Sequence, residues 1–144
     1  MNEPIIAMLE DDERRAERLL MRLRENFPYA IRWFNGLTCE MTEWLDVHLS
    51  ETILICLDHD LNLLTDRHGS SIDPGCGRDV SDFLLQKPAT CPVVIHSTNV
   101  VAATAMQESL KSHGWVVSRT TPYGDLDWVD EAWLPIIRSL LARR

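Results

Sequence analysis

Positive charge is scarce in this chain. Fourteen Lys and Arg face 22 Asp and Glu, for a net charge of −8. That balance excludes general binding of nucleic acid through its phosphates, which needs a basic surface, and leaves room only for a local basic pocket. No apolar run is long enough to span a bilayer, and no N-terminal segment has the form of a signal peptide. A cytoplasmic protein without a membrane contact is therefore expected. The four cysteines, Cys39, Cys56, Cys76 and Cys91, form no C-x-x-C pair. This removes a zinc knuckle and a disulfide framework and leaves reduced thiols. Internal repeats and low-complexity tracts are also missing. What remains is an ordinary globular mixture, 45% hydrophobic and 25% charged over 144 residues. It suffices for one compact domain, 1–144, with a single core.

Apolar runs and helical periodicities alternate along the chain. PIIAMLEDD (4–12) reads as a strand ending in three acids, and residues 13–27 place Ala16, Leu19, Leu20 and Leu23 at helical spacing before Pro28. A strand over 30–36, a helix over 38–51 and a strongly apolar strand over 52–60 follow. Residues 61–78 are a long polar stretch holding three of the six glycines, and loops of that length usually serve function or mobility. Next come a helix over 79–87, a strand over 91–99, a helix over 101–114 and a strand over 115–122. A helix over 125–144, kinked or restarted near Pro135, closes the chain. The five tryptophans, Trp33, Trp44, Trp115, Trp128 and Trp133, read as packing residues.

This alternation implies a doubly wound α/β fold, a five-stranded parallel sheet with helices on both faces. Ligands of such sheets bind beyond the carboxyl ends of the strands. The polar residues collect there: Glu10 to Asp12 after the first strand, Asp58 to Asp60 after the third, His96 to Asn99 after the fourth. Asp11, Asp12 and Asp58 would converge as three carboxylates, whose mutual repulsion calls for a cation between them. Oxygen ligation with room for water suits Mg²⁺ or Mn²⁺, which then recruits a phosphoryl group. The plainer reading makes Asp11 a helix cap and Asp12 a first-turn acid.

LEDDERR after strand one, an Asp ending strand three and VVIHST ending strand four together resemble a response-regulator receiver domain, over nearly the whole chain. The resemblance implies a flavodoxin-like strand order of 2-1-3-4-5. By position it makes Asp11 and Asp12 the metal-holding pair, Asp58 the phosphoacceptor and Ser97 the hydroxyl that meets the phosphoryl group. One expected residue is missing: a receiver carries Lys before the Pro after strand five, and here Thr121 stands there. Arg78 and Arg119 are the candidates for the charge that Lys would supply, but neither matches its position.

Two further motifs, LDHDL (57–61) with His59 and Asp60, and IHSTN (95–99) with His96 and Asn99, resemble a divergent receiver branch proposed to process cyclic phosphates of nucleotides or RNA ends. Opening a cyclic phosphodiester needs an activated water, neutralised phosphoryl oxygens and a proton for the leaving oxygen. A metal on Asp11, Asp12 and Asp58 suits the first two, and His59 or His96 the third. Asp60 would orient His59 or bind metal, while Ser97 and Asn99 would hold phosphate. Each has a plainer alternative: His96 a satisfied core histidine, His59 a solvated one, Asn99 a helix N-cap. His68, Asp66 and Asp73 read as solvated residues of the long loop, or as a mobile lid. Three functions stand side by side: a metal-dependent enzyme or binder of cyclic phosphates, a stand-alone receiver phosphorylated on Asp58, and a degenerate receiver that only binds a protein. With no DNA-binding output domain following, a signal would leave through a protein partner.

Overall fold

Alternate residues of the central strands face opposite layers of helices, and this sets the architecture. The computed structural model describes residues 3–62 and 64–143. Strand β1 (Ile5–Leu9), helix α1 (Glu13–Asn26), β2 (Ala30–Phe34), α2 (Thr38–His48) and β3 (Thr52–Leu57) come first. A short hairpin, β4 (Leu64–Thr65) and β5 (Ser71–Ile72), precedes α3 (Gly77–Leu84), β6 (Val93–His96), α4 (Val100–Ser112), β7 (Val117–Thr120) and α5 (Leu134–Ala142). The five long strands form one parallel sheet in the order β2-β1-β3-β6-β7. Setting the hairpin aside, this is the expected doubly wound order.

On one face Ile6, Met8, Leu54, Cys56 and Val94 pack against Ala16, Leu19 and Leu23 of α1 and Trp128, Trp133 and Ile137 at the C-terminal helix. On the other, Ala7, Leu9, Ile55, Leu57 and Ile95 meet Met41, Leu45, Val80, Leu84, Met106 and Leu110 of α2, α3 and α4. Every residue of β3 is buried, as a central parallel strand requires. All four cysteines are free thiols. No helix among the described residues is long and apolar enough to cross a membrane.

Two stretches differ from the sequence expectation. The 61–78 stretch contains an antiparallel hairpin, Leu64 opposite Ile72 and Thr65 opposite Ser71, with Gly69 at φ 81° in its turn. Strands of two residues are too short for periodicity to register. Ahead of α5, the helix widens to a π turn over Val129–Trp133, where the Leu134 N–H reaches back to the Val129 carbonyl. Pro135 has no N–H for the Glu131 carbonyl, so the regular ladder breaks there without stopping the helix.

Candidate functional site

The register of the sheet builds the site. Met8 lies opposite Cys56 and Cys56 opposite Val94, all on the α1–α5 face. Two residues further along, the same row reads Glu10, Asp58, His96 and Thr120, the last two being direct neighbours. The ladder carries on past the strands through Glu10 N–H to the Phe34 carbonyl and Asp58 N–H to the Leu9 carbonyl. A row of core positions thus turns polar at the carboxyl edge. Glu10 and His96 are fully buried and Asp58 is 3% exposed.

Three members of this row approach closely. One ligand atom each from Glu10, Asp58 and His96 lies within 4.8 Å of the others. His96 Nε2 is 2.9 Å from Glu10 Oε1, and its ring stacks on Trp128 at 5.7 Å. Arg15, in the first turn of α1, joins the two acids. Its Nε donates to Glu10 Oε1 at 2.6 Å, and its Nη2 to Glu10 Oε2 at 3.2 Å and to Asp58 Oδ2 at 3.1 Å. Asp58 Oδ1 accepts the His59 N–H at 2.7 Å. The Trp33 indole N–H and the Asp12 N–H fix Glu10 from outside.

The two buried carboxyls are pushed in opposite directions. Burial alone would raise Glu10, but the hydrogen bonds and charges of His96 and Arg15 outweigh it and hold Glu10 at about 2. Burial wins at Asp58 and, with the nearby Glu10 charge, pushes it up to about 7 against the pull of His96 and Arg15. Asp58 is therefore short of positive charge, and a divalent cation would supply it. The donor set fits such an ion: two carboxylates and one imidazole, already converged.

The expected Asp11–Asp12–Asp58 triad does not form such a cluster among the described residues. Asp12 is the N-cap of α1, its Oδ1 accepting the Arg15 N–H at 2.9 Å, which is the capping role expected of Asp11. Asp11 is half-buried and accepts the Asn62 N–H at the start of the long loop. Glu10 takes the inner position instead.

Asp60 Oδ1 is 2.6 Å from His59 Nδ1 and 3.5 Å from Asn99 Nδ2, at the outer rim of the site. Asn99 also caps α4 through Oδ1 on the Ala102 N–H, the helix-cap reading. Ser97 Oγ accepts the Asn99 N–H at 3.0 Å. The cation that contacts Asp58 is Arg15 of α1, which lies on the acids rather than at the position of Thr121. Arg119 turns to Gln107 and Arg78 to Asp82, so neither expected arginine is engaged here. Asp66 accepts the His68 and Ser70 N–H groups and Asp73 the Gly75 N–H within the loop itself. At α3, the Gly77 N–H donates to the His59 carbonyl at 2.8 Å. A Cβ on Gly77 would lie 1.9 Å from the Asp58 carbonyl oxygen, so only glycine permits this approach.

Solved receiver domains share this fold over nearly the whole chain. The phosphorylated cyanobacterial phytochrome response regulator RcpA is 17% identical, with a TM-score of 0.73 over 99% of this chain and 97% of its own. A response regulator of Colwellia psychrerythraea is 16% identical, at 0.66 over 99% and 100%. The response regulator TrrA of Thermotoga maritima, solved with Mg²⁺-BeF, is 11% identical, at 0.64 over 95% and 98%. Within that class, the model of the cyclic-phosphate processing receiver domain matches residues 6–112, and the chain belongs to that family. No curated protein matches the chain in sequence.

Proposed function

We propose that this protein is a metal-dependent hydrolase of cyclic phosphates, with a nucleotide or an RNA end as substrate. The observation that carries the reading is the His59–Asp60 pair, 2.6 Å apart, set directly after the buried Asp58 at the rim of the cluster. A receiver that only accepts a phosphoryl group has no use for an oriented imidazole there; a hydrolase needs one to move a proton.

A bound Mg²⁺ or Mn²⁺, held by Asp58 and Glu10 with Asp11 alongside, would neutralise the phosphoryl oxygens and acidify a water. The remaining work belongs to side chains. His59 Nδ1 donates to Asp60, which fixes the tautomer and leaves Nε2 as the basic nitrogen. Water adds to phosphorus as His59 Nε2 takes its proton, one ring P–O bond breaks, and His59 hands that proton on to the departing alkoxide. The Ser97 hydroxyl and the Asn99 amide hold the non-bridging phosphoryl oxygens. His96, wholly buried, lies beneath this surface with Nε2 against Glu10.

The test is hydrolysis of a 2′,3′-cyclic nucleotide with added Mg²⁺ or Mn²⁺. His59→Ala lowers turnover by on the order of a hundredfold, as loss of a general acid–base group implies. A wild-type protein inert towards a panel of cyclic and linear phosphoesters refutes the reading.

A further inference from the structure

The geometry points to a mixed nitrogen–oxygen site at Glu10, Asp58 and His96 for a divalent transition-metal ion of the Mn²⁺ kind, with Arg15 as the resident cation that the metal displaces. We infer this from contacts within the cluster. It rests on the metal-dependent reading above but concerns the ion and its gate rather than the reaction.

His96 is the first ground. Its Nε2 already faces a carboxylate oxygen at 2.9 Å, and stacking on Trp128 fixes the ring plane. Its Nδ1 is buried without a hydrogen-bond partner among the described residues, as is the hydroxyl of Thr120, its register neighbour. A ring with an uncommitted Nδ1 can carry its proton there while Nε2 coordinates, and no existing bond on that side is lost. The imidazole also decides the ion. Mg²⁺ favours an all-oxygen octahedron and keeps its waters, whereas Mn²⁺ and the later divalent ions accept imidazole nitrogen more readily.

Arg15 is the second ground. Its Nη2 lies 3.2 Å from Glu10 Oε2 and 3.1 Å from Asp58 Oδ2, so one nitrogen bridges both carboxylates where a shared cation belongs. The Arg15 side chain is 24% exposed, while those of Glu10 and Asp58 are 0% and 4%. The guanidinium therefore lies over the acids, and its long stem can carry it into solvent when a stronger charge arrives.

Titration calorimetry of the metal-stripped protein with MnCl₂ and MgCl₂, and pulsed EPR of the Mn²⁺ complex, test the inference. Mn²⁺ should bind at least about tenfold tighter than Mg²⁺, with a nitrogen-14 coupling from the imidazole. His96→Gln should lose that coupling and at least about tenfold in Mn²⁺ affinity, while Mg²⁺ affinity changes by less than about threefold. Arg15→Met should tighten both ions by about tenfold, since their competitor is gone. If His96→Gln fails to fold by circular dichroism, the coupling in the wild-type complex decides. Equal affinities without nitrogen coupling overturn the nitrogen ligand, and weaker binding by Arg15→Met overturns displacement. Mn²⁺ bound through nitrogen in a protein that hydrolyses nothing upholds this site and sinks the enzyme reading. Hydrolysis supported by an ion bound through oxygen alone does the reverse.

Discussion

Replacing Asp58 by Asn should make the metal-free protein more stable at pH 8. In the folded chain the Asp58 carboxyl is raised from its ordinary 3.8 to about 7, chiefly by burial. A group raised on folding contributes stability that is complete below its unfolded pKa and is lost as pH rises through the folded one. The window therefore runs from about pH 4 to about pH 7. Roughly three pH units separate the two states, and at about 1.4 kcal/mol per unit the ceiling is about 4 kcal/mol. Asn keeps an oxygen for the His59 N–H but has no second oxygen to accept the Arg15 Nη2 hydrogen bond. That loss removes about 1–2 kcal/mol of the gain. The net expectation is about 2 kcal/mol, or a Tm about 4–8 °C above wild type at pH 8. Melts followed by circular dichroism in EDTA, from pH 4 to pH 8, check it. The advantage should shrink towards zero near pH 4. A variant less stable than wild type at pH 8, or a gap that does not change with pH, would refute the electrostatic reasoning.

Three further outcomes are expected. Asp12→Ala should lose a helix cap, about 1 kcal/mol of stability, while Mn²⁺ binding by calorimetry stays unchanged; a lost metal site would make Asp12 a ligand after all. Gly77→Ala should cost about 2–3 kcal/mol in urea unfolding, because its Cβ collides with the Asp58 carbonyl, and neutral behaviour would show that α3 shifts freely. With Thr121 exposed in place of the expected Lys, Asp58 should take up little phosphate from acetyl phosphate. A stoichiometric adduct by mass spectrometry would restore the signalling role.

The doubly wound order was legible because β1, β3 and β6 are near-continuous apolar runs separated by helical periods. The carboxyl edge was legible for the same reason. Glu10 was not, since three adjacent acids give no local clue to which one turns inward. The clue lies in the period of two: Ile6, Met8, Glu10 on one strand and Leu54, Cys56, Asp58 on its neighbour. Arg15 was harder still. Its selection over the neighbouring arginines of α1 depends on the turn at which Asp12 caps the helix, and a sequence leaves that uncertain by a residue or more. Thr121 exposed the need for a cation but not its source.

The Glu10–His96 contact joins residues 86 positions apart. The contact depends on the whole run of strands between them: β1 pairs β3, β3 pairs β6, and only that ladder brings the ring to the acid. Without β6 in place, Glu10 and Asp58 offer oxygen donors alone, and His96 reaches them only through the β3–β6 pairing. Metal taken up during synthesis would meet only oxygen donors, and ion selectivity would arise once β6 has docked. At the proposed site, a single histidine would make ion selectivity wait on the docking of β6.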